Sequence, residues 1–368
     1  MNAPRITLNG IELCRQFYQQ AIRPVMEQYF PGLPYSAALV GSGSEVLGFD
    51  DAMSTDHHWG PRGMLFLNES DHAQVAAQVK DVLAHHLPYD FLGYPTHFSE
   101  PDANDHSVQH LEHIQQGPIN HRVEILTIRG FIQQQLGFDL NQPLEAADWL
   151  TFPTQKLRTL TAGSVYHDGV GLEAVREHFA WYPHDLWLYL LAAGWTRIGQ
   201  EEHLMGRAGM VGDEVGSALL GSRLVRDVMR LCFLMERVYA PYPKWFGTAF
   251  KRLAAGPALY PILQEALAAR TWQERERHLI PAYETIARLH NQLGLTQPMP
   301  EQTRHFFGRP FQVIALHGFV DALLSQIQDP AVKQIAQRQT IGSIDLISDN
   351  TDLLEGTNWR AALRQLYE

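Results

Sequence analysis

The chain has 368 residues, of which 45% are hydrophobic and 19% charged, and a formal net charge of −11. That length exceeds one ordinary core and argues for two domains, and the composition suits a soluble globular protein. The acidic balance disfavours broad binding to nucleic-acid backbones, which want a basic footprint.

The opening "MNAPRITLNG" lacks the basic start and apolar run of a secretory leader. No uninterrupted apolar stretch reaches the roughly 18 residues of a membrane span. Cys14 and Cys232 are far apart in sequence and could form at most one bridge. A reduced, cytoplasmic protein without membrane association is the expectation.

In chain order, residues 11 to 29 carry apolar side chains on helical spacing, and "PGLP" ends that pattern. "YSAALVGSGSE" reads as a short buried strand running into a Gly/Ser turn. "GMLFLN" (63 to 68) reads as a second strand. "SDHAQVAAQVKDVLAHHL" predicts an amphipathic helix capped at Ser70 or Asp71. Residues 95 to 120 are polar and His-rich, an irregular excursion. "HRVEILTIRGFI" (121 to 132) starts as a strand and turns helical. Beyond residue 145 helical patterns dominate: 171 to 180, 184 to 206, 213 to 238, 245 to 269, 272 to 293, 303 to 326 and 330 to 338. The expected fold is α+β: a small mixed-sheet domain over 1–145 and a mostly helical domain over 146–368.

The first strand runs into Gly41-Ser42-Gly43-Ser44. A dinucleotide fingerprint would need glycine where Val46 stands, and a P-loop would need Gly-Lys-Ser/Thr, so both readings fail. Downstream lies "STDHHWGPR" (54 to 62), with eleven residues between Ser44 and Asp56 and thirteen between Ser42 and Asp56. Asp-His-His phosphoesterases carry the same three letters. They also need metal-binding aspartates and histidines on preceding strands, and before residue 50 this chain has no histidine and only Glu12, Glu27 and Glu45 as acids.

The run "GSGSEVLGFDDAMSTDHHWGPR" (41 to 62) resembles the nucleotidyltransferase superfamily with its polymerase-β-like fold, in an uncharacterised bacterial branch known as a domain of unknown function. The resemblance continues through "DWLTFPTQKL" (148 to 157), "AGSVYHD" (162 to 168), "YPHDLW" (182 to 187) and "YAPYPKW" (239 to 245), so it spans roughly residues 35 to 250. It implies that Gly41, Ser42, Gly43 and Ser44 hold the phosphates of a nucleoside triphosphate. It also implies two strand carboxylates, one residue apart, that hold divalent cations such as magnesium or manganese. Here Asp56 keeps the first position and His58 replaces the second. Imidazole suits manganese or zinc better than magnesium. A third carboxylate on a neighbouring strand normally activates the acceptor hydroxyl, and Glu124 in "RVEILTI" is the candidate. The other acids near the turn, Glu45, Asp50 and Asp51, are read as shaping the loop.

The implied activity is metal-dependent transfer of a nucleoside monophosphate from an NTP to a hydroxyl of an unidentified acceptor, with release of pyrophosphate. Its alternative is a nucleotide-binding sensor or regulator that has lost turnover through His58. In related enzymes a lysine from the helical domain reaches the phosphates, and Lys244 is the candidate; Trp245 beside it suits either base stacking or a core. The helix "SRLVRDVMRLCFLMERVY" (222 to 239) places Arg223, Arg226, Arg230 and Arg237 on one face. A solvated helix looks the same, but such a concentration in an acidic chain favours anion contact, with Arg223 and Arg226 as nucleotide contacts. Two weaker patterns are His184-Asp185, read as a helix start, and Arg197 with His203, spaced as in some helical RNases.

Overall fold

The computed structural model describes residues 9–50, 59–101 and 108–368. The fold is mixed α+β. It divides into two compact units, one comprising Met1–Pro143 and Lys156–Ala180, the other Leu144–Gln155 and Trp181–Glu368. The sequence expectation placed a single boundary after residue 145. Instead, 156–180 returns to the first unit.

The first unit begins with α1 (Gly10–Phe17), started by Asn9, whose side chain accepts from the Glu12 amide at 3.0 Å. One π-helical turn (Tyr18–Ile22) leads into α2 (Arg23–Tyr29), which ends before Pro31. β1 (Tyr35–Leu39) and β2 (Arg62–Leu67) are buried at every position, so they read in sequence as apolar runs rather than as alternation. α3 (Glu69–His86) follows. It starts after Asn68, earlier than the Ser70 or Asp71 cap expected.

Residues 90–112 hold two short hairpins, β3 (Asp90–Phe91) with β4 (Tyr94–Pro95) and β5 (His97–Phe98) with β6 (Leu111–Glu112). β7 (Arg122–Thr127) then runs into α4 (Ile128–Leu136), whose Thr127 cap accepts from Gly130. β8 (Ser164–Asp168) completes a four-stranded sheet of order β7-β2-β1-β8. β2 and β7 are parallel, which requires the long crossover that α3 begins; the other pairs are antiparallel.

One face of this sheet supplies Ala37, Leu65, Leu67 and Val123 to a core with Leu13, Phe17, Ile22, Val79 and Leu83 of the helices. β8 lay outside the strands expected from sequence. Asp168 at its end ties it down, accepting from the Ser36 hydroxyl of β1 at 2.6 Å and from the amides of Gly171 and Leu172. Those last two open α7 (Leu172–His178).

The second unit is dominated by helices, among them α5 (Ala146–Thr151), and α6 (Thr154–Thr161) carries the chain from this unit to the other. α8 (His184–Met210) packs on α9 (Glu214–Met235), and Trp195 in mid-α8 stacks on Phe319 at 4.0 Å between ring centroids. The helix expected over 245–269 is two: α10 (Pro243–Phe250) and α11 (Gly256–Ala268). The Glu236 carboxylate accepts from the Ala254 and Ala255 amides at 2.7 and 2.8 Å, and so satisfies free donors where α11 begins. α12 (Trp272–Gln292) opens with a Thr271–Glu274 capping box.

The helix expected over 303–326 does not form as such. Arg309-Pro310 and the positive φ of Gly308 and Gly318 break it into a hairpin of β9 (Arg304–His305) and β10 (Gln312–Val313), a 3-10 turn, and the short α13 (Phe319–Leu324). α14 (Pro330–Arg338), α15 (Ile344–Ile347), α16 (Thr351–Glu355) and α17 (Arg360–Arg364) finish the chain. Arg360 and Arg364 of α17 both pair with the buried Asp148 of α5.

Candidate functional site

The Gly-Ser turn follows directly from β1. Gly41 has φ +83° and Gly43 φ +140°, a region that side chains avoid. Gly43 has a second reason to be glycine: a Cβ there would stand 2.5 Å from Arg62 Nη2 and 2.7 Å from Glu45 Oε2. Arg62, the first residue of β2, is the clamp. Its Nε donates to Glu45 Oε1 at 2.9 Å and its Nη2 to the Ser42 carbonyl at 2.9 Å.

Both side chains of this ion pair are buried. Burial alone would lower the arginine pKa, but the Glu45 carboxylate outweighs it and holds the guanidinium above its ordinary value. Such a pair endures out of water because each partner satisfies the other and Ser42 takes a further N–H. Asp50 accepts from the Gly10 amide at 2.7 Å. Glu45 and Asp50 therefore shape the loop, as expected, while Asp51 lies outside the described residues.

The clamp leaves one part of the turn unused. Ser42 is exposed and Ser44 half-buried. Among the described residues, no hydrogen bond engages either hydroxyl or the amides of Ser42, Gly43 and Ser44. Three consecutive free amides beside two hydroxyls form a donor array suited to an anion.

Asp56 and His58 lie outside the described residues. The chain after them is anchored beside the turn: a Cβ on Gly10 would meet both Glu45 Cβ (2.6 Å) and Trp59 Nε1 (2.8 Å). The Cys14 thiol also donates to the Gly60 carbonyl at 3.4 Å. Glu124 is half-buried on β7, in register with Met64 of β2, while Arg122 pairs with Arg62. Strand alternation puts Arg62, Met64, Arg122 and Glu124 on one face. Met64 Cε lies 3.6 Å from where a Gly41 Cβ would be, so this is the face that meets the turn. Glu124 also lines a cleft along the free edge of β7 with Lys80 and Arg122.

Among the described residues, no group of three or more His, Cys, Asp or Glu side chains could hold a metal ion. Cys14 and Cys232 are both free and buried. Among the described residues, no helix is long and apolar enough to cross a membrane.

Lys244, Arg223 and Arg226 belong to the second unit. Lys244 is exposed in the first turn of α10, with Nζ 4.9 Å from the Trp245 ring centroid. The arginine face of α9 is largely neutralised within its own unit. Arg223 donates to Glu201 at 2.9 Å and Arg226 pairs with Asp349, while Arg237, expected on the same helix, lies past its end with φ +54° and sits over the Trp187 ring at 4.1 Å. Arg223 and Arg226 are thus not the free anion contacts expected of them. Arg197 likewise pairs with Glu201 at 3.1 Å, and His203 stacks on Phe306 at 4.2 Å between centroids. Asp185 accepts from the Gln328 amide at 2.6 Å, a structural duty.

Residues 149–246 match the model of a domain of unknown function, DUF4037. The matched stretch contains "AGSVYHD", "YPHDLW" and "YAPYPKW". No curated protein matches the chain in sequence. Among solved structures, the chain is similar to a nucleotidyltransferase-like protein from Exiguobacterium sibiricum 255-15, at 9% identity over 80% of this chain and 97% of that chain, with a TM-score of 0.29.

Sequence reasoning missed two residues at these sites. Arg62 was quoted only as the end of a motif, although it fixes the turn. Arg230 was one of four arginines on a helical face. Arg62 depends on Glu45, seventeen residues earlier, and that pairing leaves no local signal in the sequence.

Proposed function

We propose that the first unit binds a nucleoside triphosphate at the Gly41–Ser44 turn and transfers its nucleotidyl group to an acceptor hydroxyl, releasing pyrophosphate. The observation that carries this reading is the clamped turn. Arg62 and Glu45 hold it against β2, its amide and hydroxyl donors are unused among the described residues, and Glu124 lies on the same sheet face. The donors of Ser42, Gly43 and Ser44 would take the phosphate oxygens without reorganising, which is how a fixed site stabilises developing charge. Asp56 and His58 would hold a divalent cation, magnesium or manganese, which would neutralise triphosphate charge when bound. Glu124 would orient the acceptor hydroxyl and take its proton.

The test is a thermal-shift screen with ATP, GTP, CTP and UTP, each with magnesium and with manganese, followed by pyrophosphate assay in the same wells. The reading expects stabilisation by at least one metal–NTP pair and its loss in Gly43→Ala. No stabilisation by any pair overturns it. Binding without pyrophosphate release across a panel of hydroxyl acceptors would favour the sensor reading, for which His58 at the second-carboxylate position is the supporting feature.

A further inference from the structure

The second unit contains a cavity of about 350 Å³ that the transfer reaction proposed above does not use. Aromatic rings form much of its wall. Trp181 and Tyr239 lie 4.8 Å apart between centroids, Tyr182 meets Tyr239 edge-on at 5.2 Å, and Phe233 and Phe246 lie 5.3 Å apart. A volume at the lower end of the range for small-molecule sites admits a molecule of one or two rings. Rings of that kind pack against aromatic walls in offset or edge-on arrangements.

The polar groups on the wall are unequally satisfied. The two carboxylates are engaged. Asp345 takes the Thr154 amide at 3.0 Å and the Thr154 hydroxyl at 2.9 Å, and Asp349 is paired with Arg226. The donors are not. Among the described residues, the Tyr182 hydroxyl and the Trp181 indole nitrogen are buried atoms with no hydrogen-bond partner. Arg230 projects from α9 into the same cavity and, among the described residues, has no hydrogen bond and no ion pair within 4.0 Å. Burial pushes the Arg230 pKa down, and Asp345 in the same wall opposes that. With both wall carboxylates engaged, Arg230 is the charged group left to meet an acceptor on a guest.

We propose that this cavity binds a small aromatic carboxylate, with its carboxylate on the Arg230 guanidinium and its ring against Trp181, Tyr182 and Tyr239. A planar carboxylate matches the guanidinium fork. Arg230, which feels Asp345, Asp227 and Asp349 but makes no ion pair within 4.0 Å among the described residues, suits one negative charge. A phosphate dianion would bring a second charge towards Asp345 and Asp349. Nothing in this assignment depends on the first unit, so the nucleotide experiments can fail or succeed without touching it.

The experiment is calorimetric titration of the full chain with naphthoate, the neutral naphthamide, and naphthyl phosphate. Naphthoate should bind one molecule per chain, about tenfold or more tighter than naphthamide, with naphthyl phosphate weaker than naphthoate. Arg230→Met should remove the preference for naphthoate and leave naphthamide binding as it was. Should that variant not fold, Phe246→Trp serves instead: it fills the cavity, and both ligands should lose affinity while circular dichroism stays unchanged. Equal affinity for naphthoate and naphthamide overturns the assignment. So does no naphthoate binding, tighter naphthyl phosphate binding, or unchanged naphthoate affinity in both variants.

Discussion

Replacing Arg62 by Met separates the stability of the clamp from its function. Arg62 and Glu45 are each 6% exposed, so the variant leaves a carboxylate buried beside apolar atoms. Removing one partner of a buried pair costs about 3–5 kcal/mol, mostly the penalty of the stranded charge. Glu45→Met strands the guanidinium in the same way, with the Ser42 carbonyl as its remaining acceptor. The double variant Arg62→Met/Glu45→Met removes both charges and fills similar volume. Its stability should return to within about 1 kcal/mol of the wild type. The double-mutant cycle therefore predicts a coupling of about 5 kcal/mol or more.

Two compact units make a single unfolding transition a poor measure, so the assay is native-state hydrogen exchange read on peptides from β1 and β2. The repaired double variant then answers the functional question. It folds, but nothing ties Ser42 to β2, so NTP affinity should fall about tenfold or more. Single variants that cost less than about 1 kcal/mol would refute the stability argument. A stable double variant with unchanged NTP binding would refute the clamp's role in positioning the turn.

Four further outcomes are expected. Gly43→Ala has no room between Arg62 and Glu45 and should abolish NTP-induced stabilisation in the thermal-shift screen. Glu124→Gln should keep that stabilisation while pyrophosphate release falls by about 100-fold or more, the scale of a lost general base. His58→Asp should raise magnesium-dependent turnover relative to manganese; an unchanged metal preference would count against the role of His58. Glu202 is 3% exposed, and burial lifts its pKa from 4.5 to about 7 against two backbone amides that favour the anion. Between those values the folded state keeps a proton that the unfolded chain releases. Its contribution is therefore full at low pH and falls by about 3 kcal/mol as pH rises through that window. Melting curves of wild type minus Glu202→Gln should show this loss. The difference is needed because His290, pushed down to about 4 by burial, destabilises the fold as pH falls.

The legible parts of the fold were those with a local physical cause. β1, β2 and β7 are short apolar runs that meet a glycine turn or a helix cap. α8, α9 and α12 are long periodic patterns with clear stops. β8 was not legible: "SVYHD" is a half-exposed edge strand whose place depends on pairing with β1, more than a hundred residues earlier. Residues 303–326 kept an apolar spacing that suggested a helix, but glycine and proline torsions decided the outcome. At the candidate site, the glycines were readable because a positive φ needs them. The Arg62–Glu45 pair was not, because ion pairing between loop and strand leaves no periodic trace.

The arginine face of α9 marks the same limit from the other side. Helical periodicity put Arg223, Arg226 and Arg230 on one face of α9, whereas Arg237 lies beyond the helix end with φ +54°, and a shared face does not say what each residue touches. Glu201 takes Arg223 from the neighbouring helix, and Asp349 takes Arg226 from 123 residues downstream. Trp187 takes Arg237. Among the described residues, Arg230 is the member of this helix face left without a hydrogen bond or close ion pair, and it lines an aromatic cavity. A cation becomes a candidate ligand-binding group when its own fold leaves it unpaired, and that property belongs to the packing of several helices rather than to the pattern of one.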